Sequence, residues 1–107
     1  MTEYIQVSTT AEKQEDARRI AREVVEKRLA ACAQVTGPIS STYWWNGKIE
    51  EAEEWLCVMK SRKDLYEHLE KAIKDIHPYK VPEIVAVPLL AGSRDYLEWL
   101  RNEVTRG

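Results

Sequence analysis

Residues 41–60 read STYWWNGKIEEAEEWLCVMK, two extended arms joined by Asn46-Gly47. A two-residue type I′ turn needs positive φ at both central positions, and Asn followed by Gly tolerates this best. On the first arm Ile39, Ser41, Tyr43 and Trp45 share one side, with Ser40, Thr42 and Trp44 on the other. On the second, Trp55, Cys57 and Met59 alternate with Leu56 and Val58, so both faces turn apolar towards its end. A sheet with one wet face alternates apolar with polar residues instead. Each face of this hairpin therefore requires a cover.

Working upstream, residues 4–8 form a short strand with Ile5 and Val7 on one face. Thr9 followed by Glu12 has capping-box form and predicts a helix start. Ala17, Ile20, Ala21, Val24, Val25 and Leu29 make the apolar stripe of that helix, and Glu15–Arg19, Arg19–Glu23 and Arg22–Glu26 lace its solvated side. Residues 31–35 begin the next strand, which Gly37-Pro38 bends before the hairpin. Downstream, Ser61 and Asp64 repeat the capping-box form and open a second helix with Leu65, Leu69, Ala72, Ile73 and Ile76 inward. It ends near His77, because the residue before Pro78 is pushed out of helical geometry. Residues 83–90 read as a fourth strand, with Pro88 restricted to an edge or bulge. Gly92-Ser93 opens a third helix with Tyr96, Leu97, Leu100 and Val104 inward and Trp99 off the stripe.

The order β-α-β-β-α-β plus a terminal helix is the α+β, ferredoxin-like pattern, with helices on one face of an antiparallel sheet. Residues 1–107 are long enough for one domain and one core. Three helices of this size cannot cover both sheet faces and the long hairpin as well. The uncovered apolar face predicts an obligate homo-oligomer with strand pairing between copies.

Composition excludes several classes. Sixteen basic residues against 18 acidic ones give a net charge of -2, with no electrostatic footprint for nucleic acid and no polybasic membrane patch. The opening MTEYIQVSTTAEKQ lacks the basic lead-in and apolar run of a signal peptide, and no stretch approaches membrane-spanning length. Cys32 and Cys57 form no CxxC or zinc-finger spacing, which points to a reduced, cytoplasmic protein. Four Trp and five Tyr with no Phe favour partly buried interfaces over a dry interior.

Four segments then line up: LAACAQV at 29–35, YWWNGKIE at 43–50, HPYKVPEI at 77–84 and DYLEWL at 95–100. Together they resemble the divalent-cation tolerance proteins called CutA over nearly the whole chain. The resemblance implies a ferredoxin-like subunit in a tight homotrimer, similar in architecture to PII signalling proteins. It implies a role in tolerance of copper or another divalent cation, with copper binding in bacterial members and acetylcholinesterase anchoring linked to animal ones. No accepted catalytic reaction comes with it, so a binding or regulatory protein with an unidentified protein partner is expected, and not an enzyme. An alternative is a PII-like signalling trimer that binds a small ligand and no physiological metal.

Copper(II) prefers imidazole and oxygen ligands, copper(I) thiolate and thioether. His77 is the leading metal candidate, held in a proline-fixed turn and matching the HPY motif, with Glu83 six residues on and Cys32 from LAAC. No metal is expected to be needed for folding. Ser8 stands where some bacterial members end the first strand with Cys, Ile76 where some carry a second His, and Lys80 where a carboxylate often follows the motif. The competing role for His77 is to donate to the terminal carbonyls of the second helix. Cys32 beside small alanines and Cys57 between Leu56 and Val58 also read as core or interface. Tyr79, Lys48 and Trp45 are candidates for a ligand cleft at a subunit boundary; trimer packing and a surface ion pair are the simpler accounts of the last two.

Other classes on this strand order fit poorly. An acylphosphatase-like hydrolase needs a Gly-rich loop and an Arg after the first strand, where the chain has Ser8-Thr9-Thr10-Ala11. An RNA-recognition domain stacks bases on a basic strand, whereas EEAEEWLCVMK places four glutamates ahead of Trp55.

Overall fold

Buried and partly buried residues alternate from Tyr4 to Thr9 within Tyr4–Ala11, the segment β1, which is one of the two inner strands of the sheet. A computed structural model describes residues 3–105. After β1 come α1 (Gln14–Glu26), β2 (Cys32–Trp45), β3 (Lys48–Arg62), a single 3-10 turn at Lys63–Leu65, α2 (Tyr66–Ile76), β4 (Ile84–Pro88) and α3 (Arg94–Glu103). The four strands lie in the order β2-β3-β1-β4, all antiparallel, in the ferredoxin-like arrangement.

The core lies between one sheet face and α1 with α2. Ile5 and Val7 of β1 and Cys57 and Met59 of β3 meet Ala17, Ile20 and Val24 of α1 and Leu69 and Ile73 of α2. α3 packs elsewhere: Tyr96 reaches Cys32, which pairs with Lys60 on the sheet side away from Met59. The rest of that second face is open. Val85 and Val87 of β4, opposite Ser8 and Gln6 in the register, are about half exposed there.

The hairpin forms as expected, with Asn46 at φ 51 and Gly47 at φ 75. Its arms outrun the sheet. β1 ends at Ala11 opposite Trp55, so residues 39–54 continue as a two-stranded ribbon that stretches the molecule to 44 Å. A bulge between Thr36 and Ile39, at the cis Gly37-Pro38 bond, separates the ribbon from the sheet. Trp44 and Ile49 face each other across the ribbon and are 71% and 62% exposed. An isolated two-stranded ribbon is marginal in water.

Several expected boundaries move. Thr9 does not cap α1: it stays in β1, fully buried and paired with Cys57 and Ile84, and the cap position passes to Lys13 with no side-chain bond. Ladder pairing on both sides outweighs one capping bond. Ser61 likewise leaves the cap of α2 and donates its hydroxyl to the Leu29 carbonyl at 2.6 Å. Of the expected α1 ion pairs, Arg22–Glu26 forms, while Arg19 turns to Asp16 and Glu23 to Lys27. Val25, expected inward, is 37% exposed, at the edge of the buried stripe of Ala17, Ile20 and Val24. Pro88 does end an edge strand, and Ser93 caps α3 by accepting from the Tyr96 amide.

Candidate functional site

The connection from α2 to β4 crosses the base of the ribbon. Pro78 forces His77 out of the helix to an extended ψ of 133°, and this turns the imidazole away from α2 towards the end of β1. Its Nε2 lies 2.8 Å from the Thr10 carbonyl, while Nδ1 accepts the Tyr79 amide at 3.0 Å. A nitrogen that accepts carries no proton, so the ring is held as the neutral Nε2–H tautomer. Burial lowers the His77 pKa below its ordinary value, outweighing the Thr10 carbonyl and the carboxylates of Asp16 and Glu54. The expected capping of α2 by His77 does not occur. Arg19 of α1 donates to the Ile76 carbonyl instead, at 2.9 Å.

The same turn delivers Tyr79 to β3. The two rings lie 4.8 Å apart between centroids, and the Tyr79 hydroxyl donates to Glu54 Oε2 at 2.7 Å. Glu54 is only 7% exposed. Burial, followed by the bond to Glu54, pushes the Tyr79 hydroxyl pKa up, so it remains a donor. Thr10, His77, Tyr79 and Glu54 thus form one chain of bonds joining three separate segments.

Above this chain lies a cleft of about 700 Å³, open on one side. Residues 41–45 of β2 and residues 79–83 form its walls, with Thr10 and Glu54 at the base. Its chemistry is aromatic on one side, from Tyr43, Trp44 and Trp45, and carries Glu54, Glu83 and Lys80 on the other. That composition suits a small ligand with an apolar body and one charged group.

The six expected site residues divide between three places. Tyr79, Trp45 and Glu83 line the cleft, with His77 directly behind Tyr79. Lys48 does not line it: opposite Trp45 at the end of the hairpin, it is carried out with the ribbon tip. Cys32 is at the other end of the sheet, opposite Lys60, with its Sγ 3.5 Å from the Tyr96 hydroxyl. The sulfur contact, then burial, pushes the Tyr96 pKa up to about 12. His77, Cys32 and Glu83 therefore do not converge in one subunit, and among the described residues no three His, Cys, Asp or Glu side chains stand close enough to hold a metal.

Glu54 was hidden within a run of glutamates. On an exposed strand a repeated acid reads as solvation, and nothing local distinguishes Glu54 from Glu50, Glu51 or Glu53. The available signal was the HPY turn, which must set its tyrosine hydroxyl against some acceptor.

A family model described as CutA1 divalent ion tolerance protein matches residues 5–103. A Thermus thermophilus protein named divalent-cation tolerance protein CutA is 43% identical over 96 residues, covering 90% of this chain and 93% of that one. Human protein CutA is 44% identical over 93 residues, which are 87% of this chain and 52% of the human one, so the chain spans about half of that relative. Among solved structures, CutA1 from Oryza sativa superposes with a TM-score of 0.95 at 36% identity, over 99% of this chain and 97% of that one. The periplasmic divalent cation tolerance protein CutA from Archaeoglobus fulgidus gives 0.92 at 36% identity, over 95% and 99%. A rice relative is named chloroplastic, so these proteins occupy more than one compartment. No helix among the described residues is long and apolar enough to cross a membrane.

Proposed function

Because the chain belongs to the CutA1 divalent ion tolerance family, we propose that it serves divalent-cation tolerance as a homotrimeric binding protein of the cytoplasm, without catalysis. The observation that carries this reading is the unsupported ribbon. It leaves Trp44 71% exposed and the cleft open on one side, and a neighbouring copy seated there covers the first and closes the second. The half-exposed Val85 and Val87 on the open sheet face supply a further apolar contact. The number three follows the CutA resemblance. On the side of binding without catalysis, both His77 nitrogens are engaged with backbone, so no free imidazole nitrogen faces the cleft.

Copper(II) or another divalent cation is the proposed ligand, with His77 and Glu83 as donors at the cleft. Glu54 and Glu83 offer oxygen to a cation entering there, and His77 joins when Nδ1 gives up the Tyr79 amide. Cys32 takes part as a thiol only by coming from a neighbouring copy. Sedimentation velocity at micromolar concentration, followed by copper(II) and zinc titrations with the N-terminal amine blocked, tests this reading. A trimer with one saturable site per subunit, weakened in His77→Ala and Glu83→Gln, is expected. A monomer sinks the assembly, and metal binding indifferent to both substitutions sinks the site.

A second reading is a small organic ligand in the same cleft, signalling through a protein partner. The aromatic wall favours it, since indole and phenol rings are poor metal ligands.

A further inference from the structure

We propose that the base of the cleft takes a small organic ammonium ion, anchored on Glu54 and flanked by Tyr43 and Tyr79. This rests on the small-ligand reading above and names the ligand class. A carboxylate buried beyond nine-tenths requires a counter-charge or a full set of donors. Glu54 has neither. Tyr79 satisfies Oε2, while Oε1 has no hydrogen-bond donor and Glu54 no ion-pair partner among the described residues. The side chain lines the cleft, and Oε1 is not sealed from it.

The surroundings select the class. A metal ion needs several converging donors, which the described residues of one copy do not bring together without a neighbouring copy. An anion is repelled, since Glu54 and Glu83 outnumber Lys80 around the opening. A neutral apolar ligand leaves Oε1 unpaired. An ammonium head donates to Oε1, and its carbons pack beside Tyr43 and Tyr79 near the base of the cleft. A volume of about 700 Å³ is that of a small-molecule site.

The test uses the full chain and three probes of equal length: n-butylammonium, n-butanol and butyrate. Binding is followed by calorimetry, in the parent and in Glu54→Gln. Saturable binding of n-butylammonium is expected, at least about tenfold tighter than of the other two probes, with that preference lost in Glu54→Gln. Equal binding of all three probes, no binding of any, or an ammonium preference that survives Glu54→Gln overturns the proposal. Sedimentation of both proteins is the control. If Glu54→Gln dissociates the assembly while no ammonium binds the parent, a side chain of the neighbouring copy is the counter-ion, and the ligand class is wrong. Copper(II) titration of the same two proteins reads the metal site separately, so either reading can fail alone.

Discussion

Replacing Tyr79 by Phe removes one hydroxyl and nothing else. The ring keeps its place beside His77, 4.8 Å between centroids, so no cavity opens and the loss is electrostatic. The missing bond is the 2.7 Å contact with Glu54 Oε2. A hydrogen bond to an ionised group contributes about 1.5–3 kcal/mol, and the lower end applies here because water in the cleft can partly replace the hydroxyl. The expected cost of Tyr79→Phe is therefore about 1.5 kcal/mol. Glu54→Gln removes the charge while its amide oxygen still accepts from Tyr79. It is expected to lie within about 0.5 kcal/mol of the parent or to be more stable. In the Glu54→Gln background Tyr79→Phe loses only a neutral bond, giving a coupling of about 1 kcal/mol. Urea unfolding of the four proteins at one fixed protein concentration measures all three quantities, the concentration being held because assembly feeds into apparent stability. A Tyr79→Phe loss below about 0.5 kcal/mol, or the same loss with and without the Glu54 charge, refutes the reasoning. A stabilised Glu54→Gln would mark Glu54 as a residue retained for binding at the expense of stability.

The His77 pKa is lowered by burial from its ordinary value near 6.5, so the unfolded chain binds the extra proton more readily than the fold. Stability contributed by His77 is complete above about pH 6.5 and falls as pH drops through the folded value, where an Nδ1 proton would face the Tyr79 amide donor. Urea midpoints across that range should fall less steeply in His77→Gln than in the parent. Gly37→Ala sets a Cβ 2.8 Å from Trp55 Cε3 and 3.1 Å from the Glu54 carbonyl, and φ is +158. The expected cost is about 1–3 kcal/mol, with a shifted tryptophan emission from the displaced ring. Cys57 is fully buried and its thiol is pushed up to about 11, so mass spectrometry should find its alkylation near neutral pH no faster than unfolding.

Much of the architecture was legible because it depends on local chemistry and period. Asn46-Gly47 fixes the hairpin, Pro78 stops α2, Ser93 caps α3, and the stripes Ala17–Ile20–Val24 and Leu69–Ile73 point inward as their spacing requires. The errors arose where a local signal met a tertiary competitor. Thr9 and Ser61 carry the chemistry of helix caps, yet one is held by two strand partners and the other by the Leu29 carbonyl. The cleft was only half visible. Tyr79 and Trp45 show themselves as aromatics in turns and arms, but Glu54 acquires its role from a residue 25 positions away. Cys32 and His77 share a motif-based expectation that the sheet register separates: one lies opposite Lys60, the other behind Thr10, itself opposite Leu56.

The glutamates of β3 have a further effect on the newly made chain. The ribbon presents unpaired backbone along both arms beside exposed tryptophan, the surface from which misdirected cross-β growth begins. Glu51 and Glu53 fall on one side of its second arm and Glu50 on the other, all exposed. Stacking ribbons in register would align these charges in repelling rows on either side. The arm thus carries its own gatekeepers, which discourage in-register stacking of identical arms.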